Sequence, residues 1–454
     1  MQGQNQKNAI LTGSIPQQQL LFFLPICLGS FFQMMYNTVD TLIVGQFVGT
    51  QALAAVGATN SFVSLLVGFF NGFCSGASII ISQSYGANDR DGIDKQVHVA
   101  FALAILSGLI LTVLGMAISR PVLALMRTPA DIIDMSVTYL QVYFAGMVPQ
   151  MIYNIGTGIL RAVGDSRRPL YFLIVASFVN IALDIVFVAL FKWGVAGVAF
   201  ATILSQLVSA LLTVRCIRRY KEMPWTLRLR KLRPEMRVVR EIARIGLPSA
   251  FQGTLYSISN IIIQSSINGF GTTVVAAWSV YSKVDAFFWL IVSAMGASMT
   301  TFAGQNFGAG LYRRVKRGNW IGLGITAALS LMVTGVLYPS ARFLFSLFSS
   351  DAGVIAQGVQ MVHFLAPCYI LYVGVEVFSG TLRGCGDVKA PTIITVFGVC
   401  IVRVIWLLGV VPHFHTVSMV EASYPITWLL ASVMFVLYYF KSNWLEQRII
   451  ARSR

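Results

Sequence analysis

Long stretches without a charged residue dominate this chain and limit what it can fold into. Residues 97–119 contain no Asp, Glu, Lys or Arg, and neither do residues 193–214 or 319–341. A helix needs roughly 20 apolar residues to cross a bilayer core, so each stretch is long enough to span a membrane. Only 11% of the 454 residues are charged, against about 25% in soluble globular proteins. The pattern therefore excludes a large soluble protein.

The apolar segments predict helices rather than a barrel. Backbone groups in lipid must be hydrogen-bonded within their own segment, and barrel strands would alternate in pieces of about ten residues. The sequence predicts an all-α integral membrane protein with twelve transmembrane helices. Their approximate bounds are 16–48, 53–82, 97–119, 133–159, 169–191, 194–216, 241–268, 273–304, 318–340, 353–380, 390–411 and 422–441.

A sequence repeat divides the chain into two halves. LRAVGDSRRP at 160–169 returns as LRGCGDVKAP at 382–391, and SQSYGA at 82–87 returns as GQNFGA at 304–309, both 222 residues later. Six helices in each half give both halves the same orientation, and parallel repeats are typical of transporters with a binding site near the midplane. We predict two parallel six-helix lobes, N-terminal and C-terminal, around a central cavity. The predicted N-terminus, N-lobe, linker, C-lobe and tail cover residues 1–15, 16–216, 217–240, 241–441 and 442–454.

The basic residues lie almost entirely on one side of the predicted membrane. The chain has a formal charge of +16, from 33 Lys and Arg against 17 Asp and Glu. Outside the spans, only Arg120, Arg127, Lys192 and Arg342 fall on the opposite side. Cytoplasmic loops carry such an excess, so both termini are predicted to be cytoplasmic, in the inner (plasma) membrane. The surplus would face anionic lipids and does not indicate nucleic-acid binding.

Motifs of common enzymes are missing from the sequence. It contains no GxxxxGK[ST] phosphate loop, no HExxH and no GxSxG. The first motif would hold nucleotide phosphates, so its absence argues against a nucleotide-driven pump. We predict no catalytic residues, no cofactor and no resident metal.

Ionisable residues inside the spans are candidates for function, because a charge in the bilayer costs about 2.5 kcal/mol or more. Asp40, Asp184 and Thr202 each lie eight or nine residues from the outer end of their predicted helix. At 1.5 Å per residue, all three are about 12–13 Å deep. Asn180 lies one turn below Asp184, and Tyr36 lies one turn below Asp40.

Two carboxylates at one depth suit a sodium ion or a shared proton, because close carboxylates repel each other when both are charged. The alternative is that these polar groups only connect helices. Such hydrogen bonds average about 0.6 kcal/mol, too little to explain two acids. The predicted coupling-ion site is therefore Asp40 and Asp184 with Asn180 and Thr202.

The second half carries a different set of charges. Asn260 lies near the position equivalent to Asp40, so the seventh helix has no acid. Four charged residues remain in the spans of this half: Lys283, Asp285, Glu376 and Arg403. Lys283 and Asp285 point in different directions on one helix, so each is expected to pair across helices, for instance Lys283 with Glu376. The set is either a structural ion-pair network or in direct contact with substrate or protons.

Five segments resemble motifs of the MATE family, the multidrug and toxic compound extrusion transporters. They are VDTLIVGQF (39–47), ISQSYGA (81–87), LRAVGD (160–165), GQNFGA (304–309) and LRGCGD (382–387). The resemblance implies a two-lobed, twelve-helix antiporter that acts as a monomer. Such proteins export organic cations and other amphiphiles in exchange for protons or sodium ions. The resemblance also implies a cation site at Asp40, Asn180, Asp184 and Thr202.

The resemblance implies further roles. The missing acid on the seventh helix makes the chain more similar to the DinF-like branch than to the NorM-like branch. The helices that line the family's cleft carry the expected substrate-cavity residues Met34, Tyr36, Tyr139, Tyr143 and Met147, and such side chains adapt to many shapes. Pro25 and Pro248 interrupt equivalent spans and are expected to act as hinges.

Two other functions remain open. A flippase for lipid-linked oligosaccharides of the same superfamily would need a cationic cavity for pyrophosphate, and Lys283 and Arg403 keep this alternative open. A membrane receptor or scaffold without transport would not need acids at matched depth.

Overall fold

The computed structural model describes residues 9–220 and 223–453. Residues 1–8 of the predicted N-terminus, 221–222 of the predicted linker and 454 of the predicted tail lie outside the described residues. Within the described ranges the regular structure is entirely helical.

Helices of the first half follow one another with short connections. They are α1 (Ala9–Thr12), α2 (Ile15–Ile43), a π-helical turn (Val44–Val48), α3 (Thr50–Gly86), α4 (Arg90–Leu125), α5 (Ile133–Ala145), α6 (Met147–Ala162), α7 (Arg167–Asp184), a second π-helical turn (Ile185–Leu190) and α8 (Gly194–Arg219). A 3₁₀ turn (Leu229–Lys231) precedes the second half.

The second half repeats this order. Its helices are α9 (Met236–Asn268), α10 (Thr272–Gly308), α11 (Tyr312–Ser346), α12 (Ala352–Leu365), a 3₁₀ turn (Ala366–Tyr369), α13 (Ile370–Gly384), α14 (Lys389–Thr395), a π-helical turn (Val396–Ile401), α15 (Val402–Gly409), α16 (Val411–Phe414), α17 (Val417–Lys441) and α18 (Trp444–Ser453).

Ten helical segments of the described residues are long and apolar enough to cross a membrane. The other two predicted spans, 133–159 and 241–268, correspond to α5 with α6 and to α9. A break at Gly146 separates α5 from α6 into pieces of 13 and 16 residues, shorter than the roughly 20 residues that span a bilayer. The 33-residue α9 is long enough, but its first turns carry Arg and Glu.

The repeat is visible in the backbone. Gly49 and Gly271, Asn88 and Gly310, and Gly164 and Gly386 are pairs 222 residues apart, and all six residues have positive φ. Glycine adopts this conformation without the steric cost that a Cβ brings. The same turns therefore end the same helices in each half.

The repeated LRxxGD phrase ends a helix in both halves. Gly164 and Gly386 have φ of 94° and 83°. The Asp165 amide donates to the Leu160 carbonyl at 2.8 Å, and the Asp387 amide donates to the Leu382 carbonyl at 2.9 Å. This is the left-handed glycine cap of a helix C-terminus, so the phrase has a structural reason to occur twice.

The chain forms two compact units whose boundaries fall inside helices. One unit contains Leu24–Ala250, and the other contains the residues up to Phe23 together with Phe251 onward. The boundaries lie next to Pro25 in α2 and Pro248 in α9. Proline removes a helical hydrogen bond, so both helices are weakened where they pass from one unit to the other.

Candidate functional site

Asp40, Asp184 and Thr202 lie beside unusual backbone at the ends of their helices. Asp40 is one turn before the π-helical turn Val44–Val48, and Asp184 is the last residue of α7 before the turn Ile185–Leu190. Short π-helical insertions occur frequently at functional sites. All three residues belong to the unit Leu24–Ala250.

An apolar cluster lies about one helical turn beyond these polar groups. Val44, Val188 and Val198 belong to one buried cluster with Ile43, Ala52 and Val195. Val44 and Val188 follow Asp40 and Asp184 by four residues, and Val198 precedes Thr202 by four. Residues four apart share a helix face, so one layer of carboxylates and hydroxyl is followed by one layer of valines.

The two acids face each other. The carboxyl groups of Asp40 and Asp184 are close enough to form a hydrogen bond when one of them carries a proton. Asp184 is fully buried. Neither Asp184 oxygen, nor Oδ1 of Asp40, has a hydrogen-bond partner among the described residues. Two adjacent carboxylates repel when both are charged, so the pair calls for a proton or a cation between them.

Asn180 and Thr202 add neutral oxygens. Asn180 is buried, with 1% of its surface exposed, and both polar atoms of its side chain lack a partner among the described residues. Buried polar groups are normally hydrogen-bonded. The Thr202 hydroxyl donates to the Val198 carbonyl at 3.0 Å, which leaves its oxygen able to accept. Oxygen atoms of these kinds are preferred ligands of hard cations.

Tyrosines lie beside the acid pair. Tyr139 and Tyr143 on α5 stack with ring centroids 6.0 Å apart. Tyr139 is in electrostatic range of Asp40 and Asp184, and Tyr36 is in range of Asp40, Tyr139 and Tyr143. Three of the predicted cavity residues are therefore neighbours of the predicted ion site.

The two methionines differ in accessibility. Met34 on α2 is half-buried, whereas Met147 at the start of α6 is only 1% exposed. The Met147 side chain is packed in the interior in this conformation. Its role as a cavity residue therefore stays a prediction.

Sequence reasoning missed Gln206. It lies four residues after Thr202 on α8 and next to the Tyr36 hydroxyl. The signal was available, because positions four apart share a helix face. A second polar pair, Asn71 and Asn154, has its amide nitrogen and oxygen 2.7 Å apart and had no signal in the repeat.

Asp285 in the second half is held by hydrogen-bond donors rather than by a cation. The Tyr369 hydroxyl donates to its carboxylate at 2.6 Å and the Trp289 indole at 2.7 Å, with the Tyr281 hydroxyl at 3.3 Å. Hydrogen bonds to a charged acceptor are stronger than neutral ones. These three aromatic partners lie four residues from Asp285 or on another helix, and the search for charges overlooked them.

The predicted ion pair between Lys283 and Glu376 is wrong. Lys283 is exposed, and its Nζ lies 5.3 Å from the centre of the Phe348 ring. Glu376 packs against Gly296, where an added Cβ would overlap its carboxylate. Gly296 is 13 residues after Lys283 on α10, about 20 Å along the helix. The two charges are therefore too far apart.

Arg403 is buried without an acid beside it. Its guanidinium donates to the Thr427 hydroxyl at 3.1 Å and lies 4.3 Å from the centre of the Tyr424 ring. Among the described residues, no salt bridge involves Arg403, Asp285, Glu376 or Lys283. A cation–π contact stabilises a desolvated cation by about 2 kcal/mol, so the aromatic ring stands where an acid was expected.

The family model described as MatE matches residues 25–186 and 248–407. The chain belongs to the MatE family. The two matched segments begin 223 residues apart, close to the offset of the sequence repeat, so the duplication belongs to the family's architecture.

Similar proteins cover nearly the whole chain. The "Probable multidrug resistance protein YoeA" of Bacillus subtilis (strain 168) is 28% identical over 445 residues, 96% of each chain. A solved structure described as an outward-facing conformation of a multidrug resistance MATE family transporter of the MOP superfamily covers 98% of each chain, with TM-score 0.88 and 23% identity. A MATE crystallised in complex with MaD3S has TM-score 0.89 and 22% identity, over 98% of this chain and 99% of that one.

These matches confirm the predicted fold class, an all-helical protein of many membrane spans with the MATE fold. The chain is a transporter of this family and not an enzyme.

Proposed function

We propose that this MATE transporter exports organic cations or amphiphilic compounds in exchange for protons or sodium ions. The family gives the class, a multidrug efflux transporter. The observation that supports coupling to an ion is the pair of adjacent carboxyl groups, Asp40 and Asp184, with buried oxygens that have no donor among the described residues.

The proposed coupling site is Asp40, Asp184, Asn180 and Thr202. A proton shared by the acids, or a sodium ion between them, removes most of the repulsion between the two charges. Loss of that ion restores the repulsion and favours another arrangement of α2 and α7. A ligand shifts such an equilibrium only by its difference in affinity for the two states, and a buried acid pair makes that difference large.

The proposed substrates are drug-like cations and amphiphiles. One similar transporter was crystallised with the compound MaD3S, which supports a small-molecule substrate. Tyr36, Tyr139 and Tyr143 present aromatic rings beside two acids, a combination that attracts organic cations. Met34 and Met147 complete the proposed cavity.

The remaining assignments are also proposals. The chain is placed in the plasma membrane with both termini cytoplasmic, as a monomer of the DinF-like branch. Pro25 and Pro248 are proposed hinges, because each lies within two residues of a boundary between the compact units. The lobes 16–216 and 241–441 would then move through α2 and α9.

Transport by purified protein in liposomes tests the proposal. Efflux of ethidium is followed under an imposed pH gradient and then under a sodium gradient, for the native chain, Asp40→Asn and Asp184→Asn. Asp131→Asn, an exposed acid in the α4–α5 connection, is the matched control. Gradient-driven transport that both site variants lose and the control keeps supports the proposal. Equal transport by all four proteins contradicts the assigned site.

Arg403 gives one reason to keep the flippase as the second candidate. It is 2% exposed and its Nε has no hydrogen-bond partner among the described residues, so it could bind a phosphate. Scrambling of a fluorescent polyprenyl-pyrophosphate sugar that depends on Arg403, with no ethidium transport, would favour the flippase.

A further inference from the structure

A second cavity, of about 400 Å³, lies between the first turns of α4 and the segment that joins α8 to α9. It belongs to the unit Leu24–Ala250 and lies outside the acid-pair site. Its charged walls consist of the cations Lys95, Arg230, Lys231 and Arg233 and the acids Asp94 and Glu235. The volume is in the range of small-molecule sites, about 300–1,000 Å³.

A buried histidine fixes the joining segment against α4. His98 is 3% exposed, and its Nε2 accepts the Arg228 amide at 2.9 Å. Its Nδ1 lies 2.6 Å from the Asp94 carbonyl, so Nδ1 is the donor and the ring is the neutral tautomer. Arg228 directly precedes the 3₁₀ turn Leu229–Lys231, so His98 positions the turn that carries Arg230.

Apolar contacts support the same segment. Thr226 and Leu227 are buried, and the Trp225 ring meets the Tyr85 ring edge-on with centroids 5.4 Å apart. A basic loop that only marked the cytoplasmic side would need charge but no fixed conformation. The ordered backbone therefore points to a built site rather than to a solvated charge run.

The cavity has an excess of positive charge after its internal pairs are formed. Lys231 Nζ lies 2.6 Å from Asp94 Oδ2, which neutralises that acid. Among the described residues, Lys95, Arg230 and Arg233 form no ion pair, and Glu235 is the one remaining acid of the lining. Three cations held near each other favour an anion between them.

We propose that this cavity binds a phosphate-bearing anion. Arginine donates in a planar fork that matches phosphate oxygens, and two arginines with a lysine supply enough donors for one phosphate group. Basic pockets on the cytoplasmic side of membrane proteins bind lipid headgroups, and a soluble phosphate compound offers the same chemistry. Binding would tie the linker to α4 and stabilise the folded protein.

The test is titration of the full-length purified protein in detergent with two probes, monitored by calorimetry. One probe is dioctanoyl phosphatidylglycerol and the other is glycerol 3-phosphate. The site variant is Arg230→Gln/Arg233→Gln. The control is Arg218→Gln/Arg219→Gln, which removes the same charge from exposed residues at the end of α8, outside the lining.

Saturable binding of either probe that weakens at least tenfold in the site variant, and less than twofold in the control, supports the proposal. Binding of the lipid alone identifies a headgroup site, whereas binding of both probes identifies a soluble anion. Lys95→Gln provides a second site variant if the double substitution lowers the melting temperature. The absence of saturable binding, or equal weakening in site and control variants, overturns the proposal.

Discussion

Val44 and Val188 pack in one buried cluster, and each lies four residues after one of the paired acids, Asp40 or Asp184. The acids thus have valines on one side and tyrosines on the other. Water reaches an apolar layer poorly, since a dry cavity offers it no hydrogen bonds. In this conformation the valine layer would limit exchange of the coupling ion through that end of the unit.

A polar residue in the valine layer is expected to make the protein leak protons. Val44 is 0% exposed, and Val44→Asn places an amide directly beside the acids. The expected result is decay of an imposed pH gradient in proteoliposomes at least about threefold faster than with the native chain. The double variant Val44→Asn/Asp40→Asn should restore the slow decay if the leak passes through the acid pair. An unchanged decay rate in the single variant would count against a sealing role.

Removal of the Asn180 amide is expected to separate sodium from proton coupling. A sodium ion needs several oxygen ligands, whereas a proton needs only one carboxylate pair. We expect Asn180→Ala to raise the sodium concentration for half-maximal transport about tenfold, and to leave proton-driven transport within about twofold. Transport assays at several sodium concentrations measure both. Ser177→Ala, one turn earlier on the same helix, is the control.

A methyl group at Gly296 is expected to destabilise the second half. A Cβ there would overlap the Glu376 carboxylate, where α10 packs against α13. Overpacking of a tight contact costs about 1–3 kcal/mol, so Gly296→Ala should lower the melting temperature in detergent. Gly324→Ala on α11, which has nothing within 4 Å of its added Cβ, should not lower it. Similar melting temperatures for the two variants would show that the helices move apart without cost.

The sequence predicted the helical fold well, because periodic apolar runs and a 222-residue repeat are properties of the chain itself. It also indicated Asp40, Asp184, Asn180 and Thr202, since depth in a helix can be counted along the chain. Partners across helices could not be counted in this way. The donors to Asp285 come from Tyr369 as well as from its own helix, and Arg403 contacts a ring rather than an acid.

The two halves are expected to respond alike to changes in the repeated phrase. Gly164 and Gly386 both have φ in the left-handed region, 94° and 83°. An L side chain there costs about 1–2 kcal/mol, so Gly164→Ala and Gly386→Ala should each lower the melting temperature by similar amounts. Gly57→Ala, in the interior of α3 with nothing within 4 Å of its added Cβ, should be neutral or stabilising, because alanine favours helix. Thermal unfolding in detergent measures all three variants. A large loss in one half and none in the other would mean that the phrase is structural in only one of its two copies.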